Sequence, residues 1–389
     1  MPIQRAARSR AHLCKGETEL SELLKNLTER GVSIYLDDIS RSRLTSGDLR
    51  TLIERDHVVG VTTNPSIFKK ALDEGDGYDS TVRELALAGF STADALRVLT
   101  CMDVREAADL LAPVHERTGG RDGWVSLEVD PFYADDTEAT VAEAALLHWM
   151  VGRENVMMKV PATDAGLLAV TELIARAIPV NVTVIFSLKR YRQAADAYMA
   201  GLERAAEQGR DTAAVRSVAS FYLARLDDAI DSELDDLGTQ EAAALRGKVA
   251  LAHAHLAHRA YDELRRGRRW RNLARETASP CPQRLLWAST STKDDQYSDT
   301  RYVTHLVLSG TINTMPEATL RAVADHGAIP DEPLGADATA AQQVMRGLDA
   351  VGISFDEVAA RLESEAVAGF QKAWRQIQEV LESRLSAAR

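Results

Sequence analysis

Short apolar and β-branched runs recur along the chain, separated by longer stretches in which apolar residues return every three or four positions. There are eight such runs: SIYLDD (Ser33–Asp38), VVGVTTNP (Val58–Pro65), WVSLEVDP (Trp124–Pro131), NVMMKVPAT (Asn155–Thr163), PVNVTVIF (Pro179–Phe186), AVRSVASFY (Ala214–Tyr222), RLLWAST (Arg284–Thr290) and HLVLSGTINTMP (His305–Pro316). Each is too short for a helix, and their continuous apolar character suits parallel strands covered on both faces. Between them, Ala142–Val151, Ala165–Ala177 and Arg190–Glu207 carry the three-and-four spacing of amphipathic helices. Eight alternations of strand and helix predict a closed (β/α)8 TIM barrel, an α/β fold. The runner-up, an open doubly wound sheet, favours a GxGxxG turn after the first strand, and the sequence has none.

Three stretches exceed a minimal barrel. Pro65–Gly123 holds enough helical pattern for extra helices between the second and third strands, and Asp227–Leu273 reads as one long helical elaboration of the outer ring. The tail, Ala340–Arg389, reads as two further helices. Without internal repeats or a low-complexity linker, residues 19–389 are expected to form a single barrel domain. Residues 1–18 are expected to be a disordered extension.

Composition narrows the partners. The net charge of −12 and pI of about 5.3 set the chain against phosphate backbones and anionic lipid, so no nucleic acid and no membrane surface is expected as a partner. A site for a small anion must bring its own cations. Cys14, Cys101 and Cys281 are odd in number and widely spaced, with no CxxC pair, which points to a reducing compartment. The basic N-terminus has no apolar stretch behind it, and no apolar run is long enough to cross a bilayer, so a cytoplasmic protein is expected.

In such barrels the chemistry gathers at the C-terminal strand ends. Those positions hold Asp37, Asn64, Glu128, Lys159, Asn181, Thr183, Ser220 and Ser289. Single polar residues in apolar strands are costly unless they share a polar pocket. Lys159, among Val156, Met157, Met158 and Val160, is expected to have a lowered pKa and to present a neutral amine able to attack a ketone. The plainer alternative is a lysine paired with a carboxylate inside the barrel. Asp37 and Glu128 suit general acid–base work, and either one also suits pairing with Lys159. Alternation puts Asp38 on the other side of the strand, where it is expected to cap the next turn. Asp130 shares the parity of Glu128 and reads as a supporting or loop residue, and Asn64 before Pro65 is an ordinary turn former that also suits holding a substrate hydroxyl.

The strings LDD, GVTTNPSIF, SLEVDP, MMKVPAT, NVTVIFS, VASFYLARLD and WASTSTK, in this order, resemble the transaldolases, over nearly the whole chain from about Leu20. TTNPS, the KVPAT segment and NVTVIFS are specific in combination, and the length and the TMPEATL ending are similar to the longer bacterial branch of that family. The resemblance implies a class I aldolase type of TIM barrel with extra helices. It implies transfer of a dihydroxyacetone unit between sugar phosphates through a lysine Schiff base, with no metal and no organic cofactor. Lys159 would form the imine, and Asp37 would move the proton of the C4 hydroxyl. Glu128 with Thr183 would hold the water of the imine steps. Asn64, Asn181 and Ser220 would bind the three-carbon unit, and Arg225 with Ser289 the phosphate. Where some relatives carry an arginine, two residues after the matched serine, this chain has Ser291, and Lys293 is placed to supply the charge. A monomer or homodimer is expected. A transaldolase diverted to specialised sugars, a related aldolase that releases dihydroxyacetone, and a sugar-phosphate-binding barrel without catalysis are the other readings.

His253, His255 and His258 lack the spacing of a shared metal site and read as a solvated or partly buried helix face. RRGRRWR (Arg265–Arg271) reads as a solvated basic face neutralised by Asp262 and Glu263, and the five tryptophans as packing residues.

Overall fold

The computed structural model describes residues 22–73, 77–276 and 281–389. The expectation for residues 1–18 lies outside the described residues. Eight parallel strands close into a barrel in chain order: β1 (Ser33–Leu36), β2 (Val58–Val61), β3 (Trp124–Glu128), β4 (Val156–Pro161), β5 (Val180–Ile185), β6 (Ser217–Tyr222), β7 (Arg284–Ala288) and β8 (Ile312–Met315), with β8 paired to β1. In β3, β4, β5 and β6 every residue is buried, as strands covered by the barrel interior on one side and by helices on the other must be.

The strands hand over to their helices through side-chain caps. Asp136 accepts from Ala139 N, Thr163 from Gly166 N and Ser187 from Arg190 N, satisfying otherwise orphaned amides at the starts of the following helices. The observed strands are shorter than the apolar runs, so Asp37, Asn64 and Ser289 lie on loops just beyond them. The largest difference is at β8, which starts at Ile312 and not at His305. Arg301–Thr304 is a short helix, and Gly310 turns the chain at φ 87° before the strand begins. Leu306 is fully buried there without belonging to a strand, and burial is all that an apolar run reports.

Helices Pro65–Asp73, Asp79–Leu87 and Thr92–Arg117 fill the space between β2 and β3. The expected long helical stretch after β6 is made of four helices, Ala224–Leu237, Gln240–Ala243, Val249–Arg266 and Arg268–Glu276, with breaks at Gly238, Gly247 and Gly267. The tail forms Ala338–Ala350 and Phe355–Ala388, close to expectation. The last helix packs Trp374, Ile377, Leu381 and Leu385 against Phe68, Leu72, Tyr78 and Leu99, a satellite core beside the barrel's own.

Candidate active site

Register sets the centre of the site. Glu128 on β3, Lys159 on β4 and Asn181 on β5 are successive partners across the ladder. Partners in a parallel ladder face the same way, so a carboxylate, an amine and an amide stand side by side inside the barrel. Lys159 Nζ lies 2.9 Å from Glu128 Oε1 and donates to the Thr63 carbonyl oxygen at 2.5 Å. Asn181 donates from Nδ2 to Ser126 Oγ at 2.9 Å and accepts from Ser220 Oγ at 2.7 Å.

One residue further along β5 is strained. Val184, fully buried and β-branched, has φ 65°, in the left-handed region that such side chains avoid. It falls where the β5–β6 register shifts between Val182 and Ile185. A bulge of this kind re-aims its neighbours. Thr183, immediately before it, meets the Tyr222 hydroxyl at 3.2 Å.

A cavity of about 680 Å³ opens over the C-terminal strand ends. Its wall includes Asp37, Asn64, Lys159 and Ser220, and further round Arg225, Ser289 and Lys293. Glu128, Asn181 and Thr183 are buried next to Lys159 and Ser220 but are not on that wall. Thr62 Oγ1 donates to Asp37 Oδ1 at 2.7 Å, and Asn64 Nδ2 reaches Oδ2 at 3.4 Å.

The charges differ from expectation in one respect. Burial alone pulls the Lys159 ammonium down, but the fields of Glu128, Tyr222 and Asp37 together outweigh it and hold the group above its ordinary value. The expected lowered pKa is corrected accordingly: the resting lysine is a paired ammonium, and the apolar neighbours in sequence did not disclose the carboxylate one strand away. Burial pushes the Asp37 carboxyl up, against the pull of Lys159 and the Thr62 hydroxyl.

The cations of the rim are of two kinds. Arg43 is saturated: it donates to Asp38 at 2.7 Å, to Glu317 at 2.8 Å and also to Asp48. Asp38 is therefore a partner of Arg43 and not the expected cap, a role taken by Ser40, whose hydroxyl accepts from Arg43 N. Arg225 stands over the Tyr222 ring at 5.9 Å and has no ion pair among the described residues. Lys293 is 3.9 Å from Asp228, with a side chain 69% exposed. Asp130 accepts from Phe132 N on the loop after β3, a supporting position.

Several participants were not singled out from sequence: Thr62 and Thr63, hidden inside TTNP; Tyr222, one alternation after Ser220; and Arg43 with Glu317. Thr62 and Tyr222 had a usable signal in strand-end parity, shared with Asn64 and Ser220, whereas Thr63 has the opposite parity and had none. Arg43 and Glu317 are 274 residues apart and had none.

Other expectations were corrected. His258 is partly buried, as expected of that helix face, while His253 and His255 are buried more fully than expected. His253 Nε2 accepts from Leu188 N at 3.0 Å, and burial lowers their pKa values to about 3 and about 4, leaving both neutral. Arg265 and Arg266 do pair with Asp262, while Arg269 turns to Glu203 and Asp196 on another helix. Trp149 is exposed and packs little, unlike the other four tryptophans. No described helix is long and apolar enough to cross a membrane.

A parallel eight-stranded barrel with a lysine–carboxylate pair at the foot of a cation-rimmed cavity defines a barrel enzyme of the aldolase type. The chain belongs to the transaldolase/fructose-6-phosphate aldolase family, which it matches over residues 34–381. It is 53% identical to transaldolase 1 of Streptomyces avermitilis over 94% of this chain and 96% of that protein. It is 51% identical to transaldolase 2 of Streptomyces coelicolor and 51% to a transaldolase of Thermobifida fusca, each over 94% of this chain and 98% of the relative.

Proposed function

We propose that the protein is a transaldolase of the non-oxidative pentose phosphate pathway. It moves a dihydroxyacetone unit from sedoheptulose 7-phosphate or fructose 6-phosphate to glyceraldehyde 3-phosphate or erythrose 4-phosphate. The observation that carries this reading is the position of Lys159, on the wall of the cavity, backed by Glu128 at 2.9 Å and sharing that wall with Asp37.

The Lys159 amine attacks the C2 carbonyl of the donor, and the carbonyl oxygen leaves as water after proton delivery. Glu128 and Thr183 are suited to hold the water that relays those protons. Asp37 then takes the C4 hydroxyl proton as the C3–C4 bond breaks and the aldehyde departs. The bond electrons rest in the enamine on Lys159. The acceptor aldehyde takes them back in the reverse sequence, with Asp37 returning the proton to the new hydroxyl. Asn64, Ser220 and Asn181 orient the three-carbon unit, the last through Ser220. Arg225, with Ser289 and Lys293, binds the phosphate, and its lack of an ion pair among the described residues supports that role. We assign the cytoplasm as the location, and a monomer or homodimer as the working form.

The test is to incubate the protein with fructose 6-phosphate, reduce with borohydride and map the modified peptide. A dihydroxyacetone-derived adduct on Lys159 is expected. Adduct on another residue, or none from either donor, overturns the assignment. Measuring transfer to erythrose 4-phosphate against release of free dihydroxyacetone separates a transaldolase from an aldolase.

A further inference from the structure

Thr63 lies on the loop after β2, buried, and off the wall of the main cavity. It touches both members of the central pair. Its backbone oxygen accepts from Lys159 Nζ at 2.5 Å, and its hydroxyl donates to Glu128 Oε2, while Glu128 Oε1 meets the same Nζ at 2.9 Å. Lysine, glutamate and threonine thus close a ring. The hydroxyl has a second acceptor, the Ser126 carbonyl oxygen at 3.0 Å. A hydroxyl has one proton to give and lone pairs to accept with, so Thr63 serves only one of the two oxygens at a time.

That choice matters because the resting lysine is an ammonium and an ammonium is no nucleophile. A proton has to leave Nζ before the N–C bond forms, and the Glu128 carboxylate is the nearest base. The proton arrives on Oε1, beside the nitrogen that gave it up; turning the carboxyl over takes that O–H away from the amine and toward Thr63, where a hydroxyl still donating would be in conflict.

We infer that Thr63 is a positioning residue that lets Glu128 take the Lys159 proton: its hydroxyl donates to Oε2 in the resting state, and once Oε1 has taken the proton a half-turn of the carboxyl brings that O–H to Thr63, whose own proton turns to the Ser126 carbonyl so that its oxygen accepts. The exchange is balanced. Ammonium and carboxylate become amine and carboxylic acid, no proton enters or leaves the ring, and the turned carboxyl leaves its carbonyl oxygen toward the amine N–H.

The inference rests on Lys159 being the imine-forming residue, so adduct formation on Lys159 in the unaltered protein is established first. Its absence there defeats the assignment of the site and not the role of Thr63 specifically. Thr63→Val keeps the shape and removes the hydroxyl; Thr63→Ser keeps the hydroxyl. With the site assignment in place, borohydride trapping in a single turnover is expected to slow about 10- to 100-fold in Thr63→Val, the size of effect for losing one charge-assisted hydrogen bond. The donor KM should stay within about twofold, since Thr63 does not line the cavity. The pH profile of trapping should move to higher pH, because solvent base must then free the amine. Thr63→Ser is expected to retain the unaltered rate and profile to within about threefold. Trapping by Thr63→Val at the unaltered rate and pH profile overturns the inference. If Thr63→Val does not fold, Thr63→Ala removes the same hydroxyl with less bulk; loss of the fold in both makes Thr63 a stability residue and also overturns it.

Discussion

Glu128 and Lys159 face each other across the β3–β4 ladder, and their charged ends meet at 2.9 Å with both side chains almost withdrawn from solvent. Breaking one side of such a pair leaves the other charge buried without compensation, which costs roughly 3–5 kcal/mol. Glu128→Gln is therefore expected to lower unfolding stability by about that amount at neutral pH, besides removing activity. The double variant Lys159→Met with Glu128→Leu should recover most of the stability and none of the activity. Urea unfolding of the three proteins measures this. A Glu128→Gln variant within about 1 kcal/mol of the parent would mean that the pair is not ionised in the resting protein.

Asp37 is predicted to shape the acid side of the activity profile. Burial holds its carboxyl above the ordinary carboxylate range, and the base that takes the C4 proton must be ionised. Activity should thus begin to fall, as pH drops, at a value above the ordinary aspartate pKa of about 3.9. The stability effect has the opposite sign. A raised folded-state value stabilises the fold fully at pH below the unfolded value, and that contribution is lost as pH rises through the folded value. Asp37→Asn should then be more stable than the parent at neutral pH and not at acid pH. A kcat/KM profile flat down to about pH 4 would contradict the assignment.

The barrel was legible because its strands are buried on both faces and so stand out as short apolar runs; the same property misled at His305–Leu308, a half-buried loop around the buried Leu306 that is as apolar as a strand. Lys159, Glu128 and Asp37 were legible as polar residues at strand ends, since period-two alternation fixes which way they point. What closes around them was not. The protonation of Lys159 depends on a partner 31 residues away, and Arg43 is matched by Glu317 across the β1–β8 closure. Local sequence records a residue's own strand, and these properties belong to pairs brought together only when the barrel closes.

Ala177 offers a test of backbone strain far from the chemistry. It ends the helix Asp164–Ala175 with φ 61°, its N–H bonded to Ile174 O and the next N–H, of Ile178, to Leu173 O. This is the pattern of a Schellman cap, whose left-handed position favours glycine because a Cβ there crowds the backbone. Ala177→Gly is expected to raise stability by about 1 kcal/mol, to shift Tm upward by a few degrees and to leave activity unchanged. A loss of stability would mean that the Ala177 methyl packs well enough to outweigh the strain.

The phosphate end of the site is predicted to depend unequally on its two cations. Arg225 is on the cavity wall with no ion pair among the described residues, so its guanidinium is ready for a bidentate anion. Lys293 is mostly exposed and faces Asp228 at 3.9 Å, so solvent and a carboxylate both compete with substrate for it. Arg225→Gln should raise the KM for fructose 6-phosphate by roughly 10- to 100-fold, the cost of a charge-assisted hydrogen bond lost, while Lys293→Gln raises it only about two- to fivefold. Asp228→Asn, by releasing Lys293, should lower the KM slightly. Unphosphorylated fructose at high concentration is the control, because its turnover should be nearly indifferent to all three changes. Equal KM effects from Arg225→Gln and Lys293→Gln would place the phosphate between the two side chains, with Lys293 filling the position that Ser291 leaves without a charge. An Arg225→Gln effect of the same size on fructose as on its phosphate would instead mean that Arg225 acts on the sugar or through Tyr222, and the phosphate would need a different cation.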